Sequence, residues 1–357
     1  MKDNNKKGTG LFGGLIFLII GVSLLWWNEG RTVERQSLIL EAGKNLVQIK
    51  DAKVSDSNED KLVAIYGKVD EETLNELSDS EFGVAVKSSK LVRKVEMYQW
   101  AEECEEDDNG KESCTYKKMW SDELIDSSEF KESGHDNPMA FKYESEEYYS
   151  DTVKVGDFVI PEELVKDLST SGVFKNLDST VAESHGLTIQ NYYYTDVKEN
   201  MPEIGNTRIS FGYNNSKNLS AIGVQTGDTL MRYTAKKGGT LLTLREGNYT
   251  GAEILNAMKK TNKFTKWVFR VVGLLLVTSA ISGLFAGINS LAEKVPVLGR
   301  IVSGVTGTIS GLLGFAISLI VVAVAWFRFR PILSAVLLAI VIAIIVAVKV
   351  LKKKGEK

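Results

Sequence analysis

Four stretches of the chain are almost entirely apolar, and they lie near its two ends. They cover residues 11–27, 267–291, 301–327 and 331–348. A hydrocarbon layer about 30 Å thick is crossed by roughly 20 apolar helical residues. The pattern therefore predicts four transmembrane helices, with a short N-terminus (1–10), a basic tail (349–357) and one large polar region (28–266) between the first two spans.

The first apolar stretch has two interpretations. Lys2, Lys6 and Lys7 precede it, as in a signal peptide, but no A-x-A cleavage pattern follows. Trp26 and Trp27 close it, which is typical of a retained helix at the membrane–water interface. We therefore expect a permanent anchor rather than a cleaved signal.

The polar region alternates between apolar and polar residues with the period of β-strands. Helical patterns are few and are expected near 71–77, 161–168 and 251–266. The last of these leads directly into the second span. The fold class is therefore α+β: a four-helix integral membrane protein with a large, mostly antiparallel β domain between helices 1 and 2. Strands are expected at 61–69, 82–100, 140–150, 187–195, 207–214, 220–234 and 240–250.

Residues 95–120 predict a β-hairpin around the turn at 108–110. That register places Cys104 opposite Cys114, a separation that a disulfide spans. A bridge implies an oxidising compartment, and hence an extracytoplasmic domain with both termini in the cytoplasm. Two free thiols in a cytosolic loop are the alternative, because the distribution of Lys and Arg between the two sides does not decide the orientation.

The composition excludes several classes of function. A net charge of −3 gives no support to nucleic-acid binding, and two cysteines with two histidines are too few for a Cys/His zinc site. The acidic run at 102–108 lacks calcium-loop spacing and indicates a solvated face. No catalytic motif is present, no cofactor is implied, and the spans hold no acid or histidine in their middle. We therefore predict a protein that is not an enzyme.

Basic residues lie beside the second span. Arg270 is one turn inside it and is expected to extend its charge towards water. The lysines at 259–266 suit either contact with anionic lipid or the same extension towards the interface.

Small residues recur at four-residue spacing in the spans, where they allow helices to approach closely. This pattern has three interpretations: packing of spans two to four within one chain, self-association into oligomers, or a polar pore lining. The residues are Gly283, Gly287, Gly307, Gly311, Ala335, Ala339, Ala343 and Ala347.

Five short motifs occur in an order that resembles the transmembrane protein 43 (LUMA) family. They are NEGR (Asn28, Glu29, Gly30, Arg31), VEMYQW (with Glu96, Tyr98 and Trp100), GHDNP (with Gly134, His135 and Pro138), PVLGR (296–300) and FRFRP (with Arg330 and Pro331). The arrangement of one span, a large domain and three closing spans is also similar.

The resemblance implies a non-enzymatic membrane organiser that oligomerises and whose large domain is luminal. It implies lamin and emerin partners and an endoplasmic reticulum or inner nuclear membrane location in animals. The short termini favour a prokaryotic member in the inner cell membrane, where lamins do not exist. The cysteine pair is outside the family pattern.

Two functions follow from these observations. The leading hypothesis is a self-associating scaffold that recruits protein or lipid partners, and the alternative is an ion channel or channel subunit. A hydrolase ranks third, because no nucleophile–base pair is visible.

Overall fold

The computed structural model describes residues 5–106, 112–292 and 307–336. The chain divides into two compact units. A helical unit contains the residues up to Lys44, the segment Thr234–Thr240 and the residues from Ala252 onward. A β-rich unit contains Asn45–Tyr233 and Leu241–Gly251.

Three long helices dominate the helical unit. They are α1 (Asn5–Asn45), α4 (Gly251–Ala292) and α5 (Gly307–Phe329), and residues 331–336 are also helical. The described residues contain three helices that are long and apolar enough to cross a membrane: Phe12–Asn45, Gly251–Phe285 and Ser310–Phe329. Most of the predicted fourth span and the loop at 293–300 lie outside the described residues, so the four-span count stays a prediction.

The first helix is much longer than the span predicted at 11–27. Its 41 residues extend about 60 Å, twice the thickness of a hydrocarbon layer. The polar half continues as a helix because it has its own apolar stripe: Leu38, Ile39 and Ala42 are buried. This apolar stripe lies alongside α4, and Leu255 of α4 is next to Gly43 of α1.

Glycines allow close contact between the membrane helices. A methyl group added at Gly21 of α1 would lie 2.9 Å from Cγ2 of Val277 in α4. One added at Gly314 of α5 would lie 2.5 Å from Oγ1 of Thr278. The apolar core between these helices centres on Leu25, Val277 and Ile281.

The β-rich unit contains two seven-stranded sheets. The first has the order β1-β2-β14-β15-β9-β8, and β18 also pairs with β14. The β1–β2 and β15–β9 pairs are parallel, whereas β2, β15 and β18 are antiparallel to β14. Its strands are β1 (Val47–Ile49), β2 (Leu62–Lys68), β8 (Lys154–Val155), β9 (Phe158–Val159), β14 (Asn218–Thr226), β15 (Thr229–Met231) and β18 (Thr243–Glu246).

The second sheet has the order β11-β12-β13-β5-β6, with β10 on β13 and β7 on β5. Its pairs are antiparallel throughout the described strands. The strands of this sheet are β5 (Lys90–Glu106), β6 (Glu112–Ser121), β7 (Glu146–Tyr149), β10 (Gly172–Val173), β11 (Thr188–Gln190), β12 (Tyr193–Thr195) and β13 (Thr207–Tyr213).

Smaller elements complete the chain. Two short hairpins pair β3 (Glu76–Asp79) with β4 (Val84–Lys87) and β16 (Tyr233–Thr234) with β17 (Thr240–Leu241). The short helices are α2 (Glu162–Val165) and α3 (Ser179–Ser184), and two 3-10 turns cover Asp56–Asn58 and Ser127–Glu129.

Each sheet has its own apolar core. Val63, Phe158 and Leu164 lie in the core of the first sheet, and Phe82, Tyr194 and Phe211 in that of the second. The alternating pattern of the sequence accounts for this, because successive strand residues point to opposite faces. The predicted α+β class with a large β-rich domain is therefore confirmed.

One predicted helix is wrong. Residues 71–77 form a turn followed by strand β3. The cause is Asp70, whose Oδ1 accepts a hydrogen bond from the Glu72 N–H (3.1 Å) and whose carbonyl accepts one from Thr73 (3.2 Å). Aspartate favours such local turns over a helix interior.

Candidate functional site

A buried ion pair joins the first and fourth helices. The Glu29 side chain is fully buried, its Oε1 accepts a hydrogen bond from Arg270 Nε (2.7 Å), and Nη2 of the same guanidinium lies 2.6 Å from Oε1. Its Oε2 accepts a hydrogen bond from Trp326 Nε1 of α5 at 2.9 Å. One carboxylate therefore connects α1, α4 and α5. Arg270 is not extended towards water as the sequence suggested, because its partner lies at the same depth.

Side-chain amides add two further connections between α1 and α4. Asn28 Nδ2 donates to the Lys266 carbonyl (3.0 Å), and Asn262 Nδ2 donates to the Thr32 carbonyl (3.1 Å). Residues 28 and 32 are one turn apart, as are 262 and 266, so the contacts lie on one face of each helix.

Aromatic rings surround this polar cluster. Trp26 packs edge-on against Phe329, and Trp27 against Phe269, each with ring centroids 5.5 Å apart. Gly30 faces the Phe329 ring so closely that a methyl group there would lie 2.8 Å from Cζ. Tryptophans at this level are typical of a membrane–water interface. The NEGR motif therefore supplies a buried acid, a close-contact glycine and an amide at one helical turn.

Arg330 alone separates α5 from the next helical segment. Its N–H donates to the Trp326 carbonyl (2.7 Å), and its carbonyl accepts from Ser334 (3.0 Å). Pro331 begins that segment, where the missing N–H is not needed. The Nε and Nη2 atoms of Arg330 are buried and have no hydrogen-bond partner among the described residues.

The VEMYQW residues lie on β5 in the β-rich unit. Glu96 forms a bidentate ion pair with Arg208 at 2.7 and 3.0 Å. The Arg208 guanidinium also lies over the Trp120 ring, 4.5 Å from its centroid. Trp120 is in turn 5.3 Å from Tyr98. This arrangement fixes the β5–β13 pair through side chains as well as backbone.

The GHDNP segment packs on the same hairpin. His135 stacks on Tyr116 at 3.8 Å and lies edge-on to Trp100 at 4.6 Å. Asn137 holds both backbone groups of Trp100: its Oδ1 accepts from the N–H at 2.7 Å and its Nδ2 donates to the carbonyl at 2.9 Å. Gly134 has a φ of +93°, and Pro138 lies beside Gly205.

The predicted disulfide is confirmed. Cys104 and Cys114 are directly opposed in the β5–β6 register, are bonded to each other, and have Cα atoms 4.0 Å apart. In the described ranges, the one grouping of acid and sulfur atoms compact enough for a metal is Glu102 with these two cysteines. Their sulfurs are joined to each other and are not free thiolates.

Glu102 has a different role beside the disulfide. Tyr116 donates its hydroxyl to Oε2 at 2.6 Å, and the Lys131 N–H donates to the same oxygen at 2.6 Å. These bonds, the hydroxyl first, lower the pKa of Glu102 below its ordinary value. The carboxylate therefore joins the hairpin to the segment that leads to GHDNP.

The structure describes only some of the predicted small-residue positions. Gly283 is half-buried in α4, Ala335 is exposed, and Gly311 of α5 has no atom within 4 Å of an added methyl group in the described part of the chain. The surroundings of two further glycines, Gly287 and Gly307, are not among the described features, and Ala339, Ala343 and Ala347 lie outside the described residues. A packing role for this set stays a prediction.

Sequence reasoning missed the Glu29–Arg270 pair and its Trp326 donor. The sequence contained a signal for this pair, because consecutive antiparallel spans place the C-terminal end of the first span beside the N-terminal end of the second. An acid two residues past Trp27 and an arginine three residues past Trp267 therefore lie at similar depth.

Comparison with known proteins identifies the family. The family model described as Transmembrane protein 43 matches residues 97–331. The rat protein Transmembrane protein 43 is 30% identical over 93% of this chain and 88% of its own length. The human protein of that name is 28% identical (92% and 86%), and the Drosophila melanogaster homolog is 27% identical (92% and 90%). No solved structure matches the chain. This chain is therefore a membrane protein that belongs to the transmembrane protein 43 family.

Proposed function

We propose that the protein is a non-enzymatic membrane organiser that self-associates through its helices and recruits lipid or protein partners through its β-rich unit. The observation that carries this proposal is the contrast between glycines in the helical unit. Gly14, Gly21, Gly273 and Gly314 are already packed against neighbouring helices, whereas Gly311 of α5 and Gly13 of α1 face open space among the described residues. A glycine on an apolar helix face permits close approach of another helix.

The interlocked bundle supports the same role. The Glu29 carboxylate contacts α4 and α5 from α1, so one buried side chain fixes the outer face of α5 relative to the other two helices. That face is apolar, with Leu312, Phe315 and Leu319 exposed. In a bilayer this surface is available to lipid, to the predicted fourth span and to further copies of the chain.

A channel receives no support from the described helices. Leu25, Val277 and Ile281 form an apolar core between the helices. The cavity of about 200 Å³ that α1, α4 and α5 also enclose is lined mainly by apolar side chains. Ser318, one of the polar residues of the third span, donates to the Gly314 carbonyl of its own helix at 2.8 Å. Its hydroxyl is thus used locally rather than in a polar path.

An extracytoplasmic location for the β-rich unit is part of the proposal. The disulfide supports it, because such bonds persist in oxidising compartments. Depending on the source, that side is the outer face of a bacterial inner membrane or the lumen of the endoplasmic reticulum. Maleimide labelling of intact cells with and without reductant tests the placement, and cysteines that are reduced and reachable only from the cytoplasm would refute it.

Oligomer size tests self-association. Gly311→Leu should decrease the size of the purified protein in mild detergent, because the added side chain prevents close helix contact. Gly13→Leu is the comparison variant, since Gly13 of α1 is open in the same way among the described residues, and the two variants together distinguish assembly through α5 from assembly through α1. An unchanged size for Gly311→Leu, or an equal decrease for both variants, would count against assembly through this face.

A further inference from the structure

A basic cavity of about 240 Å³ lies on the helical unit, next to the polar cluster. It is lined by α1, α4 and the turn after α5. Three lysines of α4, Lys259, Lys263 and Lys266, share one face at spacings of four and three residues, and Arg330 closes the cavity. No acidic residue is in its lining, so four cations surround one cavity.

Polar atoms without partners mark the same cavity. Besides Nε and Nη2 of Arg330, the hydroxyl of Thr32 and Oδ1 of Asn262 have no hydrogen-bond partner among the described residues. Thr32 is 3% exposed and Asn262 is 8% exposed. Buried polar groups in folded proteins are nearly always paired. Four unpaired atoms on the lining of one cavity therefore indicate a missing polar group.

The charge and the hydrogen-bonding pattern define the chemistry of that group. A guanidinium pairs best with a planar or tetrahedral oxyanion, and lysines add point charges around it. The Thr32 hydroxyl donates to the same anion or accepts from a neighbouring group, whereas Oδ1 of Asn262 requires a donor. A phosphate ester with an adjacent hydroxyl satisfies all of these atoms.

The position of the cavity indicates where such a ligand comes from. Lys266 directly precedes Trp267, and Arg330 lies one residue from Phe329, which packs on Trp26. The cavity thus begins at the aromatic level and extends along the polar halves of α1 and α4. Leu40 in its lining is 53% exposed, and Phe264 on α4 is 71% exposed. Apolar side chains next to lysines at this level suit a lipid surface.

We propose that this cavity binds the phosphate of an anionic phospholipid headgroup, with a headgroup hydroxyl donating to Asn262. Basic pockets between membrane helices bind such headgroups on the cytoplasmic side of membranes, and this cavity offers the same chemistry at the membrane–water interface, towards the ends of α1 and α4 that continue into the β-rich unit. The inference deepens the proposed function by naming a lipid partner. Lipid binding by the cavity and self-association through α5 are independent properties. Either one can be refuted by experiment while the other holds.

The test uses the full chain in lipid nanodiscs and measures binding of a fluorescent phosphatidylglycerol. The combined variant Lys259→Gln/Lys263→Gln should weaken binding about tenfold or more, because each cation near an anionic headgroup contributes several-fold. The matched control Lys44→Gln/Lys260→Gln removes the same charge from α1 and α4 outside the cavity and should leave binding within about twofold. An equal loss in both combined variants would show general charge attraction and overturn the site.

Two further arms define the ligand. Phosphatidylcholine, which has no net charge, should not compete with the probe, and equal competition would refute anionic selectivity. Inorganic phosphate at millimolar concentration should displace little of the probe; displacement at micromolar concentration would instead assign the cavity to a soluble phosphate compound. Arg330→Lys keeps the charge but loses the forked donors, so it should bind more weakly than the wild type. Unchanged binding in Arg330→Lys would contradict the role of Arg330.

Discussion

Glu29 and Arg270 are 241 positions apart in the chain, and they form a hydrogen-bonded ion pair inside the helical unit. The carboxylate has no exposed surface, and its second oxygen is held by Trp326. Removing one partner of a buried pair leaves the other charge uncompensated, and this costs far more than the pair itself contributes.

This asymmetry gives the first prediction. Glu29→Ala should destabilise the helical unit by about 3–5 kcal/mol. The double variant Glu29→Leu/Arg270→Leu should recover much of that loss, because no lone charge remains. Thermal unfolding in detergent measures both. Glu34→Gln, an exposed acid on the same helix, is the control and should change stability by less than about 0.5 kcal/mol.

The second prediction concerns helix packing at adjacent positions of α1. A methyl group at Gly14 would lie 3.0 Å from the Ala280 carbonyl and from Leu284, whereas one at Gly13 meets nothing within 4 Å in the described residues. Gly14→Leu should therefore separate α1 from α4 and destabilise the protein by about 1–3 kcal/mol or more. Gly13→Leu should be tolerated. Similar unfolding temperatures for the two variants would contradict the packing described here.

The third prediction concerns the disulfide. Cys104→Ser/Cys114→Ser should lower the stability of the β-rich unit by about 2–3 kcal/mol, because the bridge closes a loop with a sequence separation of 10. Limited proteolysis of the hairpin should be faster in this variant and in reduced wild-type protein. Reductant should have no further effect on the double variant. If reduction leaves the proteolysis rate of the wild-type hairpin unchanged, the bridge does not constrain it.

The fourth prediction is a pH dependence at Glu246. Burial raises the pKa of this carboxyl, but hydroxyl donation from Ser216 and Ser169 and the Ser169 N–H outweighs burial, so the pKa is below its ordinary value of 4.5. The unfolded state then binds the proton more readily. The stabilisation is complete above about pH 4.5 and is lost as pH falls through the lower folded-state pKa.

Glu246→Gln should therefore reduce the fall in unfolding temperature between pH 5.5 and pH 3. Circular dichroism of the wild type, the variant and the exposed control Glu183→Gln measures the effect. The control should follow the wild type. A variant whose acid sensitivity equals that of the wild type would show that these hydrogen bonds do not lower the pKa of Glu246.

The β-hairpin shows what the sequence determines locally. Its register follows from counting outward from the turn, because opposed residues are fixed once the loop is fixed. Cys104 and Cys114 pair as predicted, and the same register places Tyr98 opposite Trp120 and Trp100 opposite Lys118. The alternation of apolar and polar residues likewise located most of the strands, because every second residue of a strand points into the core of its sheet.

Long-range features were harder to predict. The Glu29–Arg270 pair depends on the relative depth of two helices far apart in the chain, which local periodicity does not contain. Small residues at four-residue spacing appear on several helix faces, and only tertiary contact shows that Gly14 and Gly21 are the packed ones. The polar half of α1 was assigned to the domain because its apolar stripe is narrow and lies among charged residues.

The ion pair also has a consequence for biosynthesis. Ribosomes add about 5–20 residues per second, so Arg270 emerges roughly 10 to 50 s after Glu29. During that interval the newly inserted first helix carries an unmatched carboxylate at the edge of the bilayer. We expect the nascent segment to remain shallow, or to be held by the insertion machinery, until the second membrane helix delivers its arginine. Assembly of the bundle would then be timed by translation of the intervening polypeptide.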